Sequence, residues 1–274
     1  NEEEHLERAL PSLRGLTDDI VIVDSFSSDR TREVAERHGA RFFQNRFEGH
    51  ARQWLWGMNH TSLKHEWVLM HDPDHTVTPE LREELAALFA RGMPNDVNGF
   101  YVKRRNVFRG RWIRHGGYYP IWMLKIVRRR VVTFDEHEFD YRAYVPGRTR
   151  QLNFDIIEEN LKENKISFWV QKHNGFAVKQ AEEELFRAQH PESWKIRPSF
   201  FGMPDQRTLW LKIIFYRLPL FIRPALYFFF RYFIKLGFLD GSTGLMFHFL
   251  HAFWYRLLVD INIQELRASK HSSR

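Results

Sequence analysis

The sequence contains no cysteine, which excludes disulfides and thiolate metal sites and leaves a reducing compartment open. Long hydrophobic runs are missing too. The longest uncharged stretch of the aromatic C-terminal part, Gly241–Tyr255, includes His248 and His251 and falls short of the roughly 18–20 apolar residues a spanning helix needs. There is no initiator Met and no signal-peptide pattern: the chain opens at Asn1 directly into N-E-E-E-H-L-E-R-A-L, and the native N-terminus is expected to lie upstream. No repeat or low-complexity tract interrupts the 274 residues, enough for one large domain, or a domain with an appendage, and a full core. Acidic residues are absent from Val97 to Phe134, where Lys103, Arg104, Arg105, Arg109, Arg111, Arg114, Lys125, Arg128, Arg129 and Arg130 all fall. With a formal net charge of +7, the chain calls for an anionic partner: a phosphorylated ligand, a nucleic acid or an acidic membrane surface.

What is present alternates between helix and strand. Glu2, Glu3 and Glu4 ahead of Leu6, Ala9, Leu10 and Leu13 read as a helix with acids in its first turn and one apolar face. Ile20–Val23 reads as a strand ending in Asp24, followed by the polar turn Ser25–Asp29, a helix over Thr31–His38 closed by Gly39, and a strand over Arg41–Gln44. A Trp-rich helix spans Gly49–Asn59. The apolar run Trp67–Met70 then stops at His71-Asp72-Pro73-Asp74-His75. Thr78-Pro79-Glu80 starts a helix reaching Ala90, and Phe154–Ala181 reads as helical. This alternation is that of a mainly parallel α/β sheet.

In such a sheet, ligands bind beyond the carboxyl ends of the strands. Asp72 and Asp74 stand at such an end, placed to hold a divalent ion against a polyphosphate, or else to shape a turn and cap a helix. Asp24, at another strand end, is suited to the hydroxyls of a nucleotide or to its own turn. In the acid-free stretch, Arg114-His115-Gly116-Gly117-Tyr118-Tyr119-Pro120 combines cations, paired glycines and stacking aromatics, which read as an anion-binding loop or a solvated basic one. Asp135-Glu136-His137-Glu138 follows, an acid and imidazole cluster suited to proton transfer. From Leu209 to Leu258 the chain is rich in Phe, Tyr, Trp, Leu and Ile, interrupted by Lys212, Arg217, Arg223, Arg231, Lys235 and Arg256. That pattern fits helices lying at a membrane interface with snorkelling cations, or a buried helical subdomain.

Three ordered segments, N-E-E-E-H-L, I-V-I-V-D-S-F-S-S-D-R-T and W-V-L-M-H-D-P-D, resemble the start of a family 2 glycosyltransferase with the GT-A fold. The His137-Glu138 pair, Lys172-His173-Asn174 and Gly237–Gly241 (G-F-L-D-G) are similar to those of bacterial lipooligosaccharide β-1,4-glucosyltransferase-like enzymes. The resemblance implies a Rossmann-like GT-A domain over 1–190, whose usual first strand would precede Asn1, and an aromatic-rich helical membrane-associating segment over 191–274. It implies inverting transfer of a sugar from a nucleotide-diphosphate donor, expected to be a UDP-hexose, to a hydroxyl of a lipid-linked saccharide. Asp24, Ser25, Gln53, Asp72, Arg114 and His115 are then expected to bind the nucleotide sugar, and Asp72 and Asp74 to hold Mg²⁺ or Mn²⁺. Glu138 is the expected base, with Asp135 and Glu136 as rivals for that role and His137 in the catalytic set to complete the metal shell or bind phosphate instead. The family often carries an acid after the second aspartate, where this chain has His75. The implied setting is peripheral, on the cytoplasmic face of the bacterial inner membrane, a membrane surface being the partner and nucleic acid not expected. Two rival readings are a basic single-stranded nucleic-acid-binding protein and a non-catalytic membrane-associated scaffold of the same fold.

Overall fold

The computed structural model describes residues 1–135 and 142–272. The chain forms α1 (Glu3–Ser12), β1 (Val21–Asp24), α2 (Thr31–Arg37), β2 (Arg41–Gln44), α3 (His50–His60), β3 (Trp67–Leu69), β4 (His75–Val77), α4 (Pro79–Ala90) and β5 (Gly99–Phe108). There follow β6 (Arg111–Ile113), β7 (Ile121–Arg128), β8 (Thr133–Phe134), β9 (Ala143–Tyr144), β10 (Thr149–Glu158), α5 (Ile166–Gln189), α6 (Pro204–Arg217), α7 (Arg223–Phe229), α8 (Gly241–His248) and α9 (Tyr255–Ser272). These elements divide between two compact units, Asn1–Val107 with Ile121–Leu161, and Phe108–Pro120 with Lys162–Arg274. The division falls near residue 161, whereas the sequence placed it at 190, because α5 packs along α9 through Ala177, Ala181, Val259 and Ile263.

The first unit is an α/β layer structure. β1 and β2 pair in parallel, and a larger sheet runs in the order β3-β7-β5-β10-β4. β5 and β10 are parallel, while β7 and β4 run against their neighbours. Successive residues of β5 and β7 feed opposite faces, as the pleat requires. Phe100, Val102 and Ile126 join Leu6 and Leu10 of α1 and Leu81 and Leu85 of α4 in one core. Tyr101, Leu124 and Val127 join Met58, Met70 and Trp54 in another. The register slips where Phe100 pairs with Ile126 but Tyr101 with Leu124, so Lys125 is the extra residue of a β-bulge. A bulge re-aims the side chain it carries, which matters for the site below.

Two expectations change on the fold. Phe154–Glu158 is the end of strand β10 rather than the start of a helix, and the helix begins only at Ile166. The sequence F-D-I-I-E is ambiguous over so short a span, and pairing with both β5 and β4 decides it. That helix also runs on to Gln189, past Ala181 where the sequence reading ended it; β5, β6 and β7 occupy most of the acid-free stretch.

The second unit is helical apart from β6. Its cores are the α5–α9 seam and a cluster of Phe108, Ile113, Trp169 and Phe247. Arg223, fully buried, is held by Glu184 at 2.5 and 3.1 Å and by Asp260 at 2.7 Å. Two π-helical turns, Phe230–Ile234 and Phe249–Trp254, interrupt the helices. None of the helices among the described residues is long and apolar enough to cross a membrane.

Candidate active site

A cavity of about 1240 Å³ opens in the first unit, and Asp24, Ser25, Gln53, His71 and Asp72 all line it. Its floor is apolar, with Leu6, Leu10, Leu69 and Ile126, and its walls include β1 and β3. Among the described residues each of these strands is paired on one side only, β1 with β2 and β3 with β7.

Asp24 ends β1, and its carboxylate accepts the Ser27 backbone N–H at 2.8 Å and the Ser27 hydroxyl at 2.5 Å. The amide of Gln53, from α3, donates to Ser25 Oγ at 3.1 Å, and its oxygen accepts from Asn45 at 2.9 Å. The turn after β1 and the first turns of α3 are thereby tied together.

After β3 the chain delivers four titratable side chains within five residues, and the surroundings treat each differently. Asp72 receives the ammonium of Lys125, which the β7 bulge turns towards it and which is 1% exposed. Asp74 is offered far less: an amide N–H from Asn160 at 3.4 Å and His75 Nε2 at 4.0 Å. Burial, and then the charge of Glu158, push its carboxyl above the ordinary aspartate range. Glu158 shows the opposite outcome. Burial would raise it, but the Arg104 guanidinium at 2.7 Å and His75 Nε2 at 3.1 Å hold it well below the usual glutamate range. His75 is buried between the two acids, and its Nδ1, 3.4 Å from Asp72, lacks hydrogen-bond alignment. His71 has no hydrogen-bond partner on either buried ring nitrogen. Burial, and then His75, lower it to about 3, so its imidazole is neutral at working pH.

Among the described residues no three His, Asp or Glu side chains converge to hold a metal by themselves. A divalent ion of the Mg²⁺ kind is usually held by one or two carboxylates, its remaining positions being filled by water and substrate phosphates. Asp74, a carboxylate short of counter-charge beside orphaned imidazole nitrogens, fits one such ligand. Asp72 shares its charge with the Lys125 ammonium.

The structure thus gathers Asp24, Ser25, Gln53 and Asp72 on one cavity, while Asp74 follows two residues beyond. Arg114 and His115 belong to the second unit. Asp135 directly follows β8 and is 0% exposed, and Glu136, His137 and Glu138 lie outside the described residues. The sequence reading missed Lys125, Glu158, Arg104 and His71. Only Lys125 carried a local signal, as a lone cation inside the apolar run I-W-M-L-K-I-V. The Lys172-His173-Asn174 motif turns out to be packing: His173 is buried, stacks on Trp169 at 3.7 Å and bonds its carbonyl.

The chain is similar in sequence to known glycosyltransferases. An uncharacterised glycosyltransferase of Rickettsia bellii is 33% identical over 103 residues, 38% of this chain and 34% of that protein. One from Rickettsia conorii is 32% identical over 103 residues, 38% and 36% of the two chains, and one from Rickettsia typhi is 28% identical over 110 residues, 40% and 37%. The matched region spans little more than a third of these relatives. Among solved structures, S. aureus TarS 1–349 aligns over 100% of this chain and 89% of its own, at 14% identity and a TM-score of 0.42. The sequence model of glycosyl transferase family 2 matches residues 1–152, the stretch that holds Asp24, Gln53, Asp72 and Asp74, and the chain belongs to that family.

Proposed function

We propose that the protein is an inverting glycosyltransferase that moves a hexose from a UDP-type nucleotide donor to a hydroxyl of a lipid-linked saccharide. The observation that carries this reading is the gathering of Asp24, Ser25, Gln53 and Asp72 on one cavity beside the strand ends of β1 and β3, where α/β sheets bind nucleotides. Asp24, Ser25 and Gln53 would bind base and ribose. Asp74, together with Asp72, would hold Mg²⁺ or Mn²⁺, whose chemistry is to neutralise the charge growing on the leaving diphosphate. Asp74 suits that task because burial without a full counter-charge leaves its carboxylate in want of a cation.

The acceptor hydroxyl must lose its proton as it attacks, which calls for a carboxylate on the face opposite the leaving group. Glu138 is the base we propose. Asp135, fully buried, lacks the access an acceptor needs. The surroundings of the C-terminal helices support a lipid-linked acceptor and a peripheral position on the cytoplasmic face of the inner membrane: Phe201 is 94% exposed and Ile234 60%, far beyond the scattered apolar side chains of an ordinary surface.

The rival nucleic-acid reading rested on an unpaired basic stretch, and much of that stretch is paired. Arg104 binds Glu158, Arg105 binds Asp155, Lys125 binds Asp72 and Arg128 binds Glu66. The test is UDP release from a panel of UDP-sugars with Mg²⁺ or Mn²⁺. Wild type turns over in a metal-dependent way, and Asp74→Ala and Glu138→Ala each lose at least about a hundredfold. A protein that neither binds nor hydrolyses any nucleotide sugar, yet binds oligonucleotides with steep salt dependence, would overturn the assignment.

A further inference from the structure

The donor cavity leaves the Arg114–Tyr118 loop unused, and its own unit holds it in place. The carboxylate of Asp240 accepts the backbone N–H groups of Arg114 at 3.3 Å and His115 at 2.9 Å, and His115 Nδ1 at 2.8 Å. The Gly116 N–H donates to the Lys235 carbonyl at 2.8 Å, and Arg231 donates to the Gly116 carbonyl at 2.8 Å. Gly116 and Gly117 take φ of +68° and +74°, a conformation that favours glycine. A Cβ on Gly116 would also lie 2.0 Å from the His248 ring.

This clamp brings cations together. A Cβ on Gly117 would sit 3.6 Å from an Arg231 nitrogen and 4.0 Å from Lys235 Cγ, and one on Gly241 would sit 3.2 Å from an Arg111 nitrogen. Arg111, Arg114 and Lys235 are exposed. His115 has Nδ1 committed to Asp240, so Nε2 is the nitrogen left to meet a ligand. The only acid between residues 206 and 259 is Asp240, which is 3% exposed and already accepts three N–H groups.

The same turn that carries Lys235 exposes Phe233, Ile234, Leu236, Phe238 and Leu239, each at 43% or more. Apolar side chains flanking a cation, in a stretch of chain whose sole acid is the engaged Asp240, complement the boundary of an anionic bilayer, where acyl chains lie beneath phosphates.

We propose that the Arg114–Gly117 loop, with Arg111 and Lys235, forms a seat for the phosphate headgroup of an anionic phospholipid, and that the 233–239 turn inserts beside it. This rests on the membrane-surface part of the reading above and gives it a docking point, assigning Arg114 and His115 to a lipid phosphate in place of the donor's.

The test is co-sedimentation of the whole protein with vesicles of pure phosphatidylcholine and of phosphatidylcholine mixed with phosphatidylglycerol. Wild type is expected to partition to the anionic vesicles. The triple variant Arg111→Ala, Arg114→Ala, Lys235→Ala should lose on the order of a hundredfold, about fivefold for each cation. Phe233→Ser with Leu239→Ser should weaken binding while keeping its dependence on phosphatidylglycerol, and circular dichroism confirms that both variants fold. Equal binding of wild type to both vesicles, no binding at all, or an unaffected triple variant would each overturn the proposal. So would release from anionic vesicles by millimolar inorganic phosphate at constant ionic strength, which would mark a site for a free anion. UDP release by wild type in vesicle-free buffer judges the donor reading separately, so failure of either idea is distinguishable from failure of the other.

Discussion

The two aspartates of the H-D-P-D-H segment are alike in sequence and unlike in place, and the difference is testable at Asp74. Asp72 has an ammonium from Lys125, whereas burial and Glu158 raise the Asp74 carboxyl above its ordinary value of 3.8. A carboxyl whose folded value is raised binds its proton more tightly in the folded chain than in the unfolded one. Its contribution to stability is therefore present below pH 3.8 and lost as pH rises through the raised value. At pH 7.5 an ionised Asp74 is a cost in the metal-free protein. Asp74→Asn is expected to raise the melting temperature in EDTA by a few degrees at that pH, with the gain shrinking towards pH 4, while abolishing metal-dependent UDP release. A lower melting temperature for the variant at pH 7.5 would contradict this account. That Asp72 and Asp74 follow directly on an apolar strand was legible in the sequence. That a bulge at Lys125 would neutralise one and leave the other short of charge was not, since register slips are set by pairing across β5 and β7, which leaves no local trace.

Among the elements, those whose signals are local came out as the sequence reads. Helix α4 begins at Pro79 and ends at Ala90, as Thr78-Pro79-Glu80 and the apolar spacing require. Thr78 Oγ1 accepts the Leu81 N–H at 3.2 Å and donates to the Asp155 carbonyl of β10 at 2.9 Å. One buried hydroxyl thus caps the helix and ties it to the sheet. Thr78→Ala removes both bonds from a position 3% exposed and should cost about 2 kcal/mol, whereas Thr78→Ser, which keeps the hydroxyl, should recover most of it. Urea unfolding of the three proteins measures this, and equal losses for Ala and Ser would show that packing of the methyl group, not the cap, matters. Strand β10 is the counter-example. Phe154–Glu158 has no helix-breaking residue and no clean alternation, and it becomes a strand because β5 and β4 pair with it on both sides. β5 itself hides behind K-R-R, whose charges read as loop until Asp155 and Glu158 of β10 are beside them to pair with. Local caps and periods carry to the page, while long-range pairing does not.

At the scale of the whole chain, the two units are built on different electrostatics, and acid should separate them. The second unit buries two histidines, His173 and His248, and half-buries a third, His251. Burial, partly offset by the Trp169 carbonyl, lowers His173 to about 4. Burial and Arg231 lower His248 to about 4, and burial, His173, Arg256 and Arg231 hold His251 well below 6.5. Their surroundings offer little relief: Tyr118, Trp169 and Tyr255 pack against the rings, and Asp240 is engaged with His115. A histidine whose folded value is depressed stabilises the fold above its ordinary value of 6.5, and that contribution is lost as pH falls towards about 4. Among the described residues of the first unit, His71 behaves this way too, and Glu158, held low by Arg104, gives up its stabilisation only below its ordinary value of 4.5. Glu184 in the second unit, raised by burial despite Arg223, works in the opposite sense as one group against three. The second unit should therefore loosen at a higher pH than the first. Hydrogen exchange followed by mass spectrometry between about pH 7.5 and 4.5, corrected for intrinsic rates, should show α5 and α8 losing protection while β5, β7 and β10 keep theirs. His251→Phe, which keeps a ring among Phe247, Trp169 and His173 but cannot take a proton, should move that loss to lower pH. Simultaneous loss in both units, or no shift in the variant, would mean that the buried histidines do not set the acid limit of the helical unit.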